Sequence, residues 1–299
     1  MRTFRIIMFA FTFLAVLGFL SSGCMCKAPA PKEAVTDSVA AFDGNAIVYS
    51  TQGEGSPAYV FIHGWCCDRS HMEAYLERYS EHHRVVTIDL PGHGQSGKKK
   101  RKWSTNSYGR DVRAVLHKLD LQEIILIGHS MGGPVSIETA RMEPDRIIGI
   151  IGIDTFHDLS RKYTRSEIIT STKQLRDNYA GTMTGMVRSM FRPGADSAAV
   201  AKVIEVAVNT PQEIALGIVE SYPELDLERL VEDLTVPVAA INADVFPTKL
   251  DENQAIYSQF SAVILPNAGH FPHLEAPQRF DVILDSILTD MQNSVIAAE

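Results

Sequence analysis

Residues Glu123 to Ile127 run directly into Gly128-His129-Ser130-Met131-Gly132-Gly133, and helical spacing follows. A serine between two glycines in a strand, sharp turn, helix setting is the pattern of an exposed nucleophile. The turn is too tight for side chains at 128 and 132, and it lifts the Ser130 hydroxyl above a sheet at a helix N-terminus. Free N–H groups and the helix dipole there favour developing negative charge. A second run, Val60-Phe61-Ile62-His63-Gly64-Trp65, ends an apolar strand in a His-Gly pair. It aims the backbone N–H of Trp65 or Cys66 at a carbonyl oxygen, and the Met131 N–H completes an oxyanion hole. His63 is structural in this reading. The third motif is Asn267-Ala268-Gly269-His270-Phe271-Pro272-His273, in a loop before the last helix. A neutral His270 imidazole there can take the Ser130 proton and pass it to a leaving group, while His273 packs against the helix start.

These residues need a rigid frame. Six short runs rich in Val and Ile read as buried strands: 58–62, 84–88, 123–127, 146–153, 236–241 and 262–265. They show little polar alternation, as strands covered on both faces do. Helical spacing at 70–79, 107–119, 131–142 and 276–291 separates them. Strand and helix in turn predict an α/β fold with a doubly wound, mostly parallel sheet. The alternation breaks at 156–233, which has helix-like pieces and no convincing strand, and reads as a helical cap inserted over the sheet end.

The remaining features bound the function. Residues 1–23 have Arg2 and Arg5 before an apolar run from Ile6 to Leu20, then Ser21-Ser22-Gly23-Cys24, the layout of an export signal. The cysteine after small residues resembles the lipobox of bacterial lipoproteins, which implies lipidation at Cys24 and a cell-envelope location. The alternatives are a periplasmic or secreted form and a retained anchor. Residues 24–40 read as a tether and 41–299 as the catalytic domain. The net charge is −8, from 28 Lys and Arg against 36 Asp and Glu, and losing Arg2 and Arg5 with no acid makes it −10. Such a surface excludes a protein living on nucleic-acid phosphates. Four cysteines are too few for a disulfide scaffold, and the adjacent Cys66 and Cys67 read as small buried residues. No metal-ligand spacing is present, and no cofactor is expected. Gly92-His93-Gly94-Gln95-Ser96-Gly97 matches a dinucleotide fingerprint only formally, because Lys98-Lys99-Lys100-Arg101-Lys102 replaces the required helix. That basic run reads as a solvated loop, with contact to anionic headgroups beside Trp103 as the alternative.

Taken together, His63-Gly64-Trp65, Asp89 to Ser96, Gly128 to Gly133 and Gly269-His270 through Glu275-Ala276-Pro277 resemble the α/β-hydrolase superfamily, in its capped serine esterase and lipase-like branch. The resemblance implies a Ser-His-Asp triad with the acid between serine and histidine in chain order. It points to Asp244, after the strand before last, with Asp154 as the rival and Asp251 and Glu252 behind them. It implies a carboxylesterase acting on a small or medium ester through an acyl-enzyme. C–C bond hydrolysis, lactone opening and perhydrolysis share the fold and triad. A non-catalytic binding protein is the reading from another class, and the intact Ser130 and His270 weigh against it. Substrate contacts are expected in the cap, at Phe156, Tyr163, Met183, Met186, Met190 and Phe191.

Overall fold

The computed structural model describes residues 33–99 and 102–296. The export signal, Cys24 and the centre of the basic run lie outside the described residues. Eight strands form one sheet: β1 (Val35–Ala40), β2 (Ala46–Gln52), β3 (Ala58–Ile62), β4 (Val85–Ile88), β5 (Ile124–His129), β6 (Ile147–Ile153), β7 (Val238–Ala243) and β8 (Phe260–Leu265). Their order is β1-β2-β4-β3-β5-β6-β7-β8. Strands β3 to β8 pair in parallel, whereas β2 runs antiparallel to both neighbours. The stretch read as a tether at 24–40 is corrected at its end, because 35–40 pairs as β1 with β2 and belongs to the sheet. Val35–Ala40 is nearly all exposed and carries no apolar run, so it gives none of the signal of the central strands.

The helices are α1 (Ala74–Tyr79), α2 (Thr105–Lys118), α3 (Gly132–Met142), α4 (Arg165–Asp177), α5 (Tyr179–Met190), α6 (Ser197–Asn209), α7 (Gln212–Glu220), α8 (Leu227–Val231), α9 (Leu250–Ile256), α10 (Pro272–Glu275) and α11 (Pro277–Ile296). Alternate residues of each central strand serve different cores. Val60, Ile62 and Leu126 pack on the face that also holds Val112 and Val135, while Tyr59, Phe61, Ile125 and Ile127 pack with Phe280 and Leu284. Both faces are dry, which is why the strands read as continuous apolar runs. A third core lies among α4 to α7, and Cys66, Cys67 and Phe271 belong to it.

The loop after β4 is fixed by a buried charge. Asp89 is fully buried and ion-paired to Arg69. It also accepts the Arg69 N–H at 2.8 Å and the Gln95 N–H at 2.9 Å. The Ser96 hydroxyl donates to the Asp89 carbonyl at 2.6 Å and accepts the Val48 N–H at 2.8 Å. This network turns Gly92 to Gly97 into a structural loop. Trp103 packs partly buried against the main core, with its ring beside Gly92 and Gly217. Replacing Arg69 with Met strands the Asp89 carboxylate and is expected to cost about 3 kcal/mol. Urea unfolding at neutral pH measures it; a loss under about 1 kcal/mol would mean the pair does not hold the loop.

Candidate active site

Ser130 sits between β5 and α3 with φ at 49°, in the left-handed region that non-glycine residues seldom adopt. Its N–H donates to the Ile153 carbonyl at 2.9 Å, and its carbonyl accepts the Gly133 N–H at 3.0 Å. The two glycines of the motif allow this turn by close approach. A Cβ on Gly128 would lie 2.2 Å from the Gly132 carbonyl oxygen, and one on Gly132 would lie 2.3 Å from the Ile62 carbonyl oxygen. The end of β3 is thereby pressed against the Ser130 turn. Trp65 and Cys66 line a cavity together with Ser130, and Met131 lies at the α3 N-terminus. Cys66 itself has φ at 54°, so its peptide is turned out of the strand direction. Its thiol and that of Cys67 are buried and free, and burial pushes both pKa values up, so neither is a poised nucleophile.

His63 is structural. Its Nδ1–H donates to the Gly64 carbonyl at 2.8 Å, and its Nε2 accepts the Leu90 N–H at 3.0 Å. His129 is also buried, and its ring holds the His270 carbonyl oxygen through Nε2 at 2.8 Å. The loop carrying His270 is anchored on two further sides. The His270 N–H donates to the Met190 carbonyl at the end of α5 at 2.8 Å. The Glu275 carboxylate accepts the Gly269 N–H at 3.0 Å and the Arg192 N–H at 2.9 Å.

The acid facing His270 is Asp154, which corrects the expectation of Asp244. His270 Nδ1 lies 2.6 Å from Asp154 Oδ2, and the Asp154 side chain is 1% exposed. The Ala243 N–H donates to the other carboxylate oxygen at 2.8 Å, and His157 Nε2 stands 3.5 Å from it. Burial would raise the Asp154 carboxyl, but His157 and His270 outweigh it and hold it well below the usual carboxylate range. Asp244 lies one position beyond β7, with its side chain 37% exposed. It accepts the Asn267 N–H at 3.0 Å and pairs with Arg192. Strand register explains the difference. Ile153 is level with Ile241, so the residue next after β6 lies beside Asn242, and Asp244 has already passed the sheet edge. Asp251 and Glu252, exposed on α9, do not pair with His270 either. The sequence signal for Asp154 was its place flush with the end of the strand beside the Ser130 strand.

Two cavities meet here, and Ser130 and His270 line both. One is a slot of about 40 Å³ under Met183, Met186 and Met190. The other is a basin of about 280 Å³ bounded by Phe156, Tyr163, Tyr222 and Phe246. Phe191, expected as lining, instead stacks on Phe271 at 4.8 Å inside the cap core. Among the described residues no His, Cys, Asp and Glu cluster has metal-binding geometry.

The sequence model of the alpha/beta hydrolase family matches residues 59–281. A putative esterase/lipase of Haemophilus influenzae is 35% identical over 33% of this chain and 34% of its own length. The chain thus spans only about a third of that relative. A pimeloyl-[acyl-carrier protein] methyl ester esterase of Yersinia enterocolitica is 26% identical over 78% of this chain and 93% of its own. Among solved structures, an esterase from Exiguobacterium antarcticum superposes with a TM-score of 0.76 at 17% identity, covering 85% of this chain and all of that one.

The site is ringed by neutral histidines. Burial lowers His63 and His71 from 6.5 to about 4, and His93 and His273 to about 3. Among the described residues neither ring nitrogen of His71 or His273 has a hydrogen-bond partner. A depressed histidine contributes stability that is complete above pH 6.5 and is lost as pH falls towards the folded value. Each such group can contribute a slope of up to about 1.4 kcal/mol per pH unit in that window. Urea midpoints should therefore fall continuously from pH 7 to pH 5; a flat profile would contradict neutral burial of this set.

Proposed function

Because the chain belongs to the alpha/beta hydrolase family, we propose that it is a serine carboxylesterase working through an acyl-enzyme. One observation carries the reading: the strained Ser130 turn opens into the same two cavities as His270, whose far nitrogen is bonded to buried Asp154. Ser130 Oγ attacks the ester carbonyl carbon while His270 Nε2 takes its proton. The negative charge that develops on the carbonyl oxygen is met by the Met131 N–H and by that of Trp65 or Cys66, each worth about 3 kcal/mol in such sites. His270 then gives the proton to the departing alkoxide. Water, deprotonated by the same imidazole, attacks the acyl carbon, and Ser130 is released. Asp154 stays ionised throughout, fixing the tautomer with the proton on Nδ1 and stabilising the imidazolium. Asp244 acts on this arrangement from outside, by holding the loop before His270 through Asn267 and Arg192.

A fluorophosphonate probe should label the folded protein and fail to label Ser130→Ala; no capture of the folded parent would overturn the reading. Asp154→Asn should lower kcat on a p-nitrophenyl ester by about 10⁴, as expected where the imidazole loses its orienting anion. Asp244→Asn should stay within about tenfold of the parent, since it removes a loop contact and no reacting group. The reverse ranking would return the acid role to Asp244.

A further inference from the structure

The two cavities that share Ser130 and His270 differ in size, lining and exposure to solvent, and on the esterase reading they must hold the two halves of the substrate. We propose that the acyl group lies in the slot and the alcohol in the basin, which makes the substrates short-chain acyl esters of bulky aromatic alcohols.

The slot decides the acyl length. Met183, Met186 and Met190 fall at i, i+3 and i+7 of α5 and present one face to it, against Trp65 and Cys66 from the loop after β3. Its volume of about 40 Å³ compares, on the same measure, with roughly 10–15 Å³ for one water. That admits a short acyl chain of a few carbons. Methionine side chains bend and can yield one or two more, but the third core packs behind them.

The basin decides the alcohol. Tyr163 and Tyr222 lie 5.5 Å apart at its wall, over the buried Phe156. Phe246, on the opposite element after β7, is 57% exposed and borders the same space. At about 280 Å³, with most of its lining apolar, it fits a fused or substituted ring, which gains from offset or edge-on contact with aromatic neighbours.

The order of events fixes which half goes where. The alcohol leaves while the acyl group is still bonded to Ser130, and a water must then reach the acyl carbon beside His270. The half that departs first therefore needs the chamber that opens to solvent, and the basin is the more open of the two. The half that stays can occupy the enclosed slot.

The test uses the full chain in mild detergent with acetate, butyrate and octanoate esters of 1-naphthol and of ethanol. The parent should lose at least about tenfold in kcat/KM from naphthyl butyrate to naphthyl octanoate, the scale on which an apolar pocket senses added methylenes. Met186→Ala should narrow that gap by about threefold or more and leave the naphthyl-to-ethyl ratio in place. Phe246→Ala should lower the naphthyl-to-ethyl ratio by about threefold to tenfold and leave the chain-length profile in place. Comparing ratios between variants cancels the greater intrinsic reactivity of naphthyl esters. Octanoate turned over as fast as butyrate by the parent, or each variant moving the other variant's quantity, would overturn the assignment while leaving the esterase reading intact. No turnover of any ester by folded protein would overturn that reading, and the assignment with it.

Discussion

Everything at this site depends on one steric constraint, the contact between the Ser130 turn and the strand ends around it. Ser130 holds a left-handed backbone because its N–H is tied to the end of β6 and its neighbours at 128 and 132 have no side chains. The contact at Gly132 is with backbone oxygen of β3, an atom that cannot rotate away. That same contact sets the distance between Ser130 and the loop carrying Trp65 and Cys66. A conformation costing on the order of 1–3 kcal/mol persists here because three strands over-determine it.

The imidazole is held by a different logic. His270 belongs to a loop with little regular structure of its own, and its position comes from bonds to surrounding elements: His129 from the elbow, Met190 from the cap, Glu275 from α10 and Asp154 from β6. Three of these partners were visible in the sequence for other reasons. His129 is the variable residue of the elbow motif, Met190 is an apolar residue of the cap, and Glu275 belongs to the stretch through Pro277 that carries the family resemblance. Their shared task emerges only from the fold.

That difference explains how far the sequence could be read. The central strands and α2, α3 and α11 were legible because burial on two faces, or on one stripe, leaves a periodic record in residue type. Strand β1 leaves none, since it is polar, exposed and defined only by its pairing with β2. Ser130 and His270 were legible because close backbone approach demands glycine at 128, 132 and 269, which marks both motifs. The acid is different, since a carboxylate can reach the imidazole from the end of either β6 or β7. Chain order allows both, and the register of those two strands decides. Of the two candidates, Asp154 is the buried one, and Asp244 serves a surface ion pair with Arg192.

The bonds from α5 to the histidine loop have a mechanical consequence. The last carbonyl of α5 holds the His270 N–H, and the next residues, through Arg192, reach Asp244, Ala268 and Glu275. A cap that swung away as a hinged lid would drag His270 with it, away from Ser130 and Asp154. The helix is therefore a fixed jaw. On the proposed esterase reading, entry and exit then fall to side chains, the flexible methionines on one side and the exposed Phe246 rim on the other, at the speed of rotamer exchange.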